Sequence, residues 1–468
     1  MGKPPTNSSR ARKPVVVDIK RSVPRIDDMT SASRWLLDRV DVERINPSRL
    51  DADTLKLDRM RELMTLLGDP HAPLRFVHVA GTKGKGSTCE MAAACLEACG
   101  YTVGLYTSPH LLDIRERIRI NRKPIKPDDF VRLAQHVAAV ANDLPESSGE
   151  PTFFELVTAM ALVHFADEAV DVAVMEVGLG GRLDSTTVIT PQVSAITSIS
   201  LDHTQILGST VEKIAREKAG IFKPGIPAIA VRQDERILEV LRQVALQVGA
   251  PFQVVGKDID ASVRFEATSN IGPHHRVSLV SPRNEFEHLQ SPLKGEHMAW
   301  NCALALAIVD KLSERGLKTP AAKVTKGLGT VQMVGRLELI QGSPRIVLDG
   351  AHNADSMKCL MKAIATHIPA ENMVVVFGCA ADKDIDGMLK EVAAAADKVI
   401  FTRIPASARA ADPDDLARRL NESGKMAQVA ETVAEALALA RKAVARDDLV
   451  CVTGSLYLVA EAKKLLRK

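Results

Sequence analysis

Seven residues, Gly81-Thr-Lys-Gly-Lys-Gly-Ser87, constrain the fold of this chain more than any other stretch. Before them, Arg75–Ala80 (RFVHVA) reads as a buried strand. After them, STCEMAAACLEAC reads as a helix stopped by Gly100. Strand, glycine loop and helix, in that order, aim backbone N–H groups and a helix N-terminus at one point, which suits a phosphate. Lys85 adds a point charge for the β- and γ-phosphates. The strict nucleotide loop is G-x4-G-K-[ST]; here the spacing is shorter, and Gly86 separates Lys85 from Ser87. The plain alternative is a glycine-rich turn with a chance lysine, and the flanking strand and helix argue against it. Lys83 is a second cation in the loop, and the sequence leaves open whether it is solvated or touches phosphate.

The alternation of strand-like and helix-like segments continues along the chain. DVAVMEVG (171–178), QVSAITSIS (192–200) and IPAIAV (226–231) read as strands; residues 157–166 and 211–222 read as helices. Strands separated by helices predict an α/β fold with a mainly parallel sheet covered on both faces. Residues 251–295 are polar and β-rich, and are expected to add antiparallel strands at a sheet edge. A helix is expected around 296–313 and a linker at Gly327–Gly335. Beyond it the alternation restarts with RIVLDGAHN, MVVVFGCA, KVIFTRI and LVCVTGS, which predicts a second, smaller Rossmann-like α/β domain.

Composition excludes several classes. With 46% hydrophobic and 25% charged residues the chain is neither disordered nor collagen-like. No apolar run approaches the ~18 residues of a membrane span, and the polar, basic start lacks the apolar core of a secretory signal. Seven scattered cysteines point to a reducing cytoplasm rather than a disulfide scaffold. Cys95 and Cys99, four apart on one helix face, read as core packing rather than metal ligands. The net charge of +3 is uneven: residues 1–25 carry +6, leaving −3 for the rest. The basic excess therefore belongs to a terminal stretch, 1–30, that reads as a disordered extension. With 3% aromatics there is little to stack on bases, so no nucleic-acid partner and no membrane partner is expected.

Three further residues stand at strand ends. Ser108 in TSPH can present a hydroxyl, Glu176 closes an apolar strand before Gly178-Leu-Gly-Gly181, and His203 follows the next strand in LDHT. Strand ends of open α/β sheets are where ligands bind. Hydroxyl, carboxylate and nucleotide phosphates suit Mg²⁺, whereas a histidine ligand is less usual for it, so His203 reads as ligand or as hydrogen-bonding cap. Lys218, in REKAGIF, taken alone is a solvated helical charge.

Together these segments resemble the folylpolyglutamate synthase/dihydrofolate synthase family of the Mur ligase superfamily, over roughly residues 31–468. The carrying segments include HVAGTKGKGSTC, GLYTSPHL, EVGLGGRLDSTTV, TSISLDHTQILG, REKAGIFKPG, LDGAHNADS, GCAADKD and TGSLYLV; TSPHL and EVGLGGRLD discriminate it from other Mur-type ligases. The resemblance implies an ATP-binding central domain at 31–330 and a glutamate-ligase domain at 331–468, acting as a monomer on ATP, L-glutamate and a reduced folate or dihydropteroate. It implies that Thr82, Lys83, Gly84, Lys85, Gly86 and Ser87 hold ATP phosphates, with Asn301 near adenine and Arg336 and Asp349 reaching from the second domain. Ser108, Glu176 and His203 match the family's magnesium ligands, for two ions in all. Lys218 matches a lysine carried as N-carboxylysine; Lys85, Lys218 and His352 are then the catalytic set. Thr152, Phe153, Phe154 and Glu155, with Leu183, Asp184 and Ser185, match the pterin-binding segments, and His352 and Ser455 the glutamate side. The family commonly has Asn where Lys83 stands, DATN where Asp184-Ser-Thr-Thr187 stands, Pro where Val334 stands and VAHNPH where Gly350-Ala-His-Asn-Ala-Asp355 stands. The competing readings are a related ligase for another carboxylate, and a nucleotide-binding regulator without catalysis.

Overall fold

The computed structural model describes residues 25–41, 56–269, 271–405, 409–422 and 424–467. Residues 1–24 of the expected extension lie outside them. Residues 25–30 are described, and Ile26 is buried beside the capping box in which Asp28 and Ser31 start the first helix.

Strands β1 (Phe76–Ala80), β2 (Val103–Tyr106), β3 (Ile118–Ile120), β4 (Lys123–Pro124), β5 (Val172–Glu176), β6 (Val193–Ile196), β7 (Ala228–Val231) and β8 (Phe252–Val255) form one sheet in the order β4-β3-β2-β5-β1-β6-β7-β8. Pairing is parallel from β2 to β8 and antiparallel at the β3 and β4 edge. Successive side chains of a strand face opposite ways, and β1 shows the result. Val77 and Val79 enter the core beneath helices α3 (Lys85–Cys99), α9 (Glu296–Glu314) and α10 (Ala321–Leu328). Phe76 enters the opposite core, under α1 (Met29–Leu37), α2 (Leu57–Leu66), α4 (Pro127–Ala141) and α5 (Phe153–Asp167). Residues 42–55, between α1 and α2, lie outside the described set. Helices α6 (Thr204–Leu207), α7 (Val211–Ala219) and α8 (Glu235–Val248) close the β6–β8 end.

The polar stretch after α8 departs from expectation. Only β8 joins the sheet, and in parallel. Strands β9 (Asp260–Thr268), β10 (Gly272–Val280) and β11 (Glu285–Gln290) make a separate antiparallel sheet in the order β11-β10-β9. The reason is burial: Val277, Leu279 and Phe286 find their apolar partners against α9, not along an edge.

The second lobe carries β12 (Glu338–Ile340), β13 (Arg345–Leu348), β14 (Met373–Phe377), β15 (Lys398–Thr402), β16 (Met426–Ala430) and β17 (Leu449–Thr453), ordered β12-β13-β17-β14-β15-β16. Only β12 runs antiparallel. Helices α11 (Ala354–His367), α12 (Ile385–Ala395) and α13 (Pro413–Asn421) lie on one face, α14 (Val433–Lys442) and α15 (Leu456–Leu466) on the other. Away from the cleft the lobes also touch where Phe265 and His275 pack on His367 of α11, with ring centroids 5.2 to 6.0 Å apart.

Both sheets reverse their strand order near the middle, at β1 and at β17. The loops leaving the carboxyl ends there form the crevice in which open α/β sheets bind ligands. Every phosphate, metal and glutamate-side residue singled out above stands on such a loop, at the carboxyl end of β5, on α3, α7 or α9, or in the stretch before β12.

Candidate functional site between two lobes

The phosphate loop is shaped by two close approaches. Gly84 caps α3 with φ of 85°, and a Cβ on it would lie 2.4 Å from Nδ2 of Asn301. Only glycine combines that left-handed conformation with that contact. Asn301, buried on α9, therefore backs the loop directly. A Cβ on Gly86 would stand 3.2 Å from Oε2 of Glu176, so the carboxylate lies against the first turn of the helix. The same oxygen accepts a 3.1 Å hydrogen bond from the Ser108 N–H, and Lys85 Nζ is 4.0 Å from Oε1. The loop is anchored to the strand-end beyond β6: the N–H groups of Thr82 and Lys83 donate to the Ser198 carbonyl, at 2.8 and 3.3 Å. Thr82 Oγ1 donates to the Ser200 carbonyl at 3.2 Å, and Ser87 is buried under the turn.

Lys218 is not a solvated helical charge. It is 5% exposed, and its ammonium donates to the Gly81 carbonyl at 2.8 Å. Burial, reinforced by Lys85, pulls its pKa down to about 7. His203 adopts φ of 49° at the start of α6, with its ring 40% exposed and Nε2 3.8 Å from Oδ1 of Asp202. Desolvation, and the cations Lys383, Lys218 and Lys85, hold it near 4 against the pull of Asp202. Desolvation raises the Asp202 carboxyl, but Lys83, His203 and Lys383 prevail and keep it far below the ordinary range.

From the second lobe, Asp349 accepts from the Leu337 and Ala351 N–H groups at 2.7 and 2.8 Å. Both oxygens thus brace the strand ends that carry Arg336 and His352. Burial raises its pKa while Arg336 pulls it back. His352 Nδ1 lies 2.8 Å from the Gly350 carbonyl, which only accepts, so Nδ1 carries the proton and Nε2 presents a lone pair. Lys83, together with burial, keeps this ring's pKa well below its usual value. Ser455 Oγ accepts from the Tyr457 N–H at 3.2 Å and caps α15.

The segments matched to pterin binding are engaged internally. Thr152 and Glu155 form the capping box of α5, and Glu155 is also paired, 2.9 Å, with Arg59; both are 4% exposed. Arg59, in the α2 segment to which the sequence assigned no role, thus holds that frame, and a lone arginine on an amphipathic helix carries no signal of it. Phe153 packs under the Arg117 guanidinium, and Phe154 against Tyr106. Asp184 accepts from the Leu179 and Thr186 N–H groups and from Thr186 Oγ1. Because Thr186 spends its proton there, His78 must donate to it through Nε2, at 2.8 Å. Ser185 is buried and Leu183 half-buried beside them.

Among the described residues no group of three or more His, Cys, Asp or Glu side chains is placed to hold a metal. What the structure brings together is Glu176 with Ser108, beside the loop and Lys85. One buried carboxylate beside phosphate-binding groups suits Mg²⁺, a cation that takes few protein oxygens and keeps several waters and phosphate oxygens of its own. Two contributors went unassigned from sequence: Asp202 and Lys383, the latter in the ADKD segment. Cys95 is buried in the α3 core, and the described cysteines are all free thiols. No described helix is long and apolar enough to cross a membrane.

Comparison with known proteins gives two family matches: the Mur ligase middle domain over residues 79–309 and the Mur ligase glutamate ligase domain over residues 335–456. The chain is similar to the dihydrofolate synthase/folylpolyglutamate synthase of Bacillus subtilis, 34% identical over 88% of this chain and 95% of that one. It is 35% identical to the folylpolyglutamate synthase of Lacticaseibacillus casei, over 87% and 94%. The solved structure of Mycobacterium tuberculosis folylpolyglutamate synthase complexed with ADP superposes with a TM-score of 0.84, at 32% identity, covering 94% of this chain and 98% of that one.

Proposed function

The chain belongs to the folylpolyglutamate synthase/dihydrofolate synthase family of the Mur ligases, and on that premise we propose how its residues carry out the reaction. It is an ATP-dependent ligase that joins L-glutamate to a folate carboxylate. The observation that carries the mechanism is the meeting of a buried-lysine phosphate loop and a neutral histidine across one cleft. A carboxylate oxygen of the folate attacks the γ-phosphorus in line, forming an acyl phosphate as ADP leaves. The glutamate amine then bonds the acyl carbon and gives up a proton, the C–O bond to phosphate breaks, and phosphate leaves with that oxygen and its electron pair.

Lys85 and the N–H groups of Gly84 to Ser87 hold the phosphates, with Arg336 adding charge from the second lobe. Asn301 backs the loop and lines the nucleotide side. Glu176 and Ser108, with His203, hold magnesium, which when bound neutralises phosphate charge. Lys218, whose amine is half neutral near pH 7, reacts with carbon dioxide and releases a proton to become N-carboxylysine, and Lys85 balances the resulting anion. His352 and Ser455 line the glutamate side. The Thr152–Glu155 and Leu183–Ser185 segments shape the pterin side, with Glu155 and Asp184 as frame. The chain works as a cytoplasmic monomer.

The test is product analysis with ATP, glutamate, and either tetrahydrofolate or dihydropteroate. One new amide for each phosphate released supports the proposal, and the acceptor used tells which folate reaction operates. No amide with either acceptor overturns it.

A further inference from the structure

Lys83 is the loop residue whose side chain leaves the loop. Its ammonium donates to Oδ2 of Asp202 at 2.8 Å and reaches Nε2 of His352 at 3.4 Å. The other Asp202 oxygen lies 3.6 Å from Nζ of Lys383. Lys83 and Asp202 belong to the large lobe; His352 and Lys383 stand at the carboxyl ends of β13 and β14 in the small one. One carboxylate therefore gathers a cation from each lobe, and the cleft is crossed twice within four side chains. Asp202 is 10% exposed, so these attractions are weakly screened. Two of the three donors of the Lys83 ammonium are directed at a carboxylate and across the cleft.

Resting on the ligase reading, we propose that Lys83 is a positioning residue: it ties the phosphate loop to His352, so that acyl phosphate forms where the amine side of the cleft is already in place. The order matters because acyl phosphate has a competing fate. If water arrives first, its oxygen bonds the acyl carbon, the C–O bond to phosphate breaks, and the free carboxylate returns with the ATP consumed. A loop held in register with the opposite lobe favours the amine over water.

The experiment uses the full chain with Lys83→Met, Lys83→Gln and Lys83→Arg. Phosphate and amide are measured in the same samples, together with KM for ATP and for glutamate. Loss of a charge-assisted bond of this kind corresponds to roughly a tenfold effect. Lys83→Met and Lys83→Gln are therefore expected to raise KM for glutamate about tenfold and to release more phosphate than amide. Lys83→Arg, which keeps the cation, restores part of both. Asp202→Asn added to Lys83→Met also removes the attraction to Lys383, and is expected to deepen both effects by less than the two single changes would add. Unchanged KM for glutamate with matched phosphate and amide overturns the proposal. So does an effect confined to KM for ATP, which makes Lys83 a phosphate contact. Wild-type chain that makes no amide overturns the ligase reading itself, and this is seen before any variant is compared.

Discussion

The ammonium of Lys218 donates a 2.8 Å hydrogen bond to the carbonyl of Gly81, the residue at which β1 turns into the phosphate loop. A cation is thereby buried directly behind the site that other cations must serve. Its pKa near 7, against 10.5 in an unfolded chain, has two consequences. Between those values the unfolded chain binds the extra proton, so this group makes stability rise with pH from about 7 upward. Above pH 7 the amine is also mostly neutral and can attack carbon dioxide, losing a proton as the carbamate forms. Carbon-13 bicarbonate at pH 8 should give a carbamate resonance that Lys218→Arg lacks and that fades at pH 6. A wild-type spectrum without it removes N-carboxylysine from the mechanism.

Lys85 stands 4.0 Å from Glu176 and has no substitute in position on the loop, because Lys83 is engaged elsewhere. Lys85→Ala is expected to lower ligation by about 100-fold or more, with the folded state retained. Glutamate-dependent ADP release near the wild-type rate would contradict the assignment.

Gly84→Ala tests the shape of the loop rather than its charge. The left-handed φ costs an L-residue about 1–2 kcal/mol, and the added methyl meets the Asn301 amide at once. Nucleotide affinity, read by titration calorimetry, should fall by at least about tenfold. Measured against Asn301→Ala alone, which loses its own nucleotide contact, the Gly84→Ala penalty should shrink but persist: the collision is gone and the backbone strain is not, so recovery should be partial. Full recovery would show that the conformation itself is immaterial.

His78 offers a readout of stability. Wholly buried in β1, it has its pKa pushed down to about 3 by burial, with Lys223 adding to the effect. The folded pKa lies below the unfolded value of about 6.5, so its contribution is constant above that and is lost as pH falls from 6.5 toward 3. The slope is about 1.4 kcal/mol per pH unit for one such group. In urea unfolding between pH 4 and 7, His78→Gln should show a shallower acid decline than the wild type. Parallel curves would mean that the proton is taken up in the folded state too.

Much of this site was legible before folding was considered. GTKGKGS, EVGLGG, LDHT and LDGAHN each end an apolar run with turn residues, and so place their polar groups at strand ends. The strand-like reading of residues 251–295 was right in kind and wrong in place, because periodicity shows which face is apolar but not which helix will cover it. Lys83, Lys218, Glu155 and Asp184 were legible as residues, but their partners within the protein were not. In sequence each is one more charged side chain; in the fold, a carboxylate, a carbonyl, a buried arginine and a pair of N–H groups claim them in turn.

The local order of strand, loop and helix, and with it the two α/β lobes, follows from short-range rules: alternation of apolar residues, glycine where the backbone must bend left, caps where helices begin. Partner choice obeys no such rule. Lys83 meets His352 across 269 positions, and Arg59 meets Glu155 across 96, because both sheets turn their carboxyl ends and inner faces toward shared spaces. Electrostatic attraction depends on distance and burial, and both are properties of the packed molecule alone.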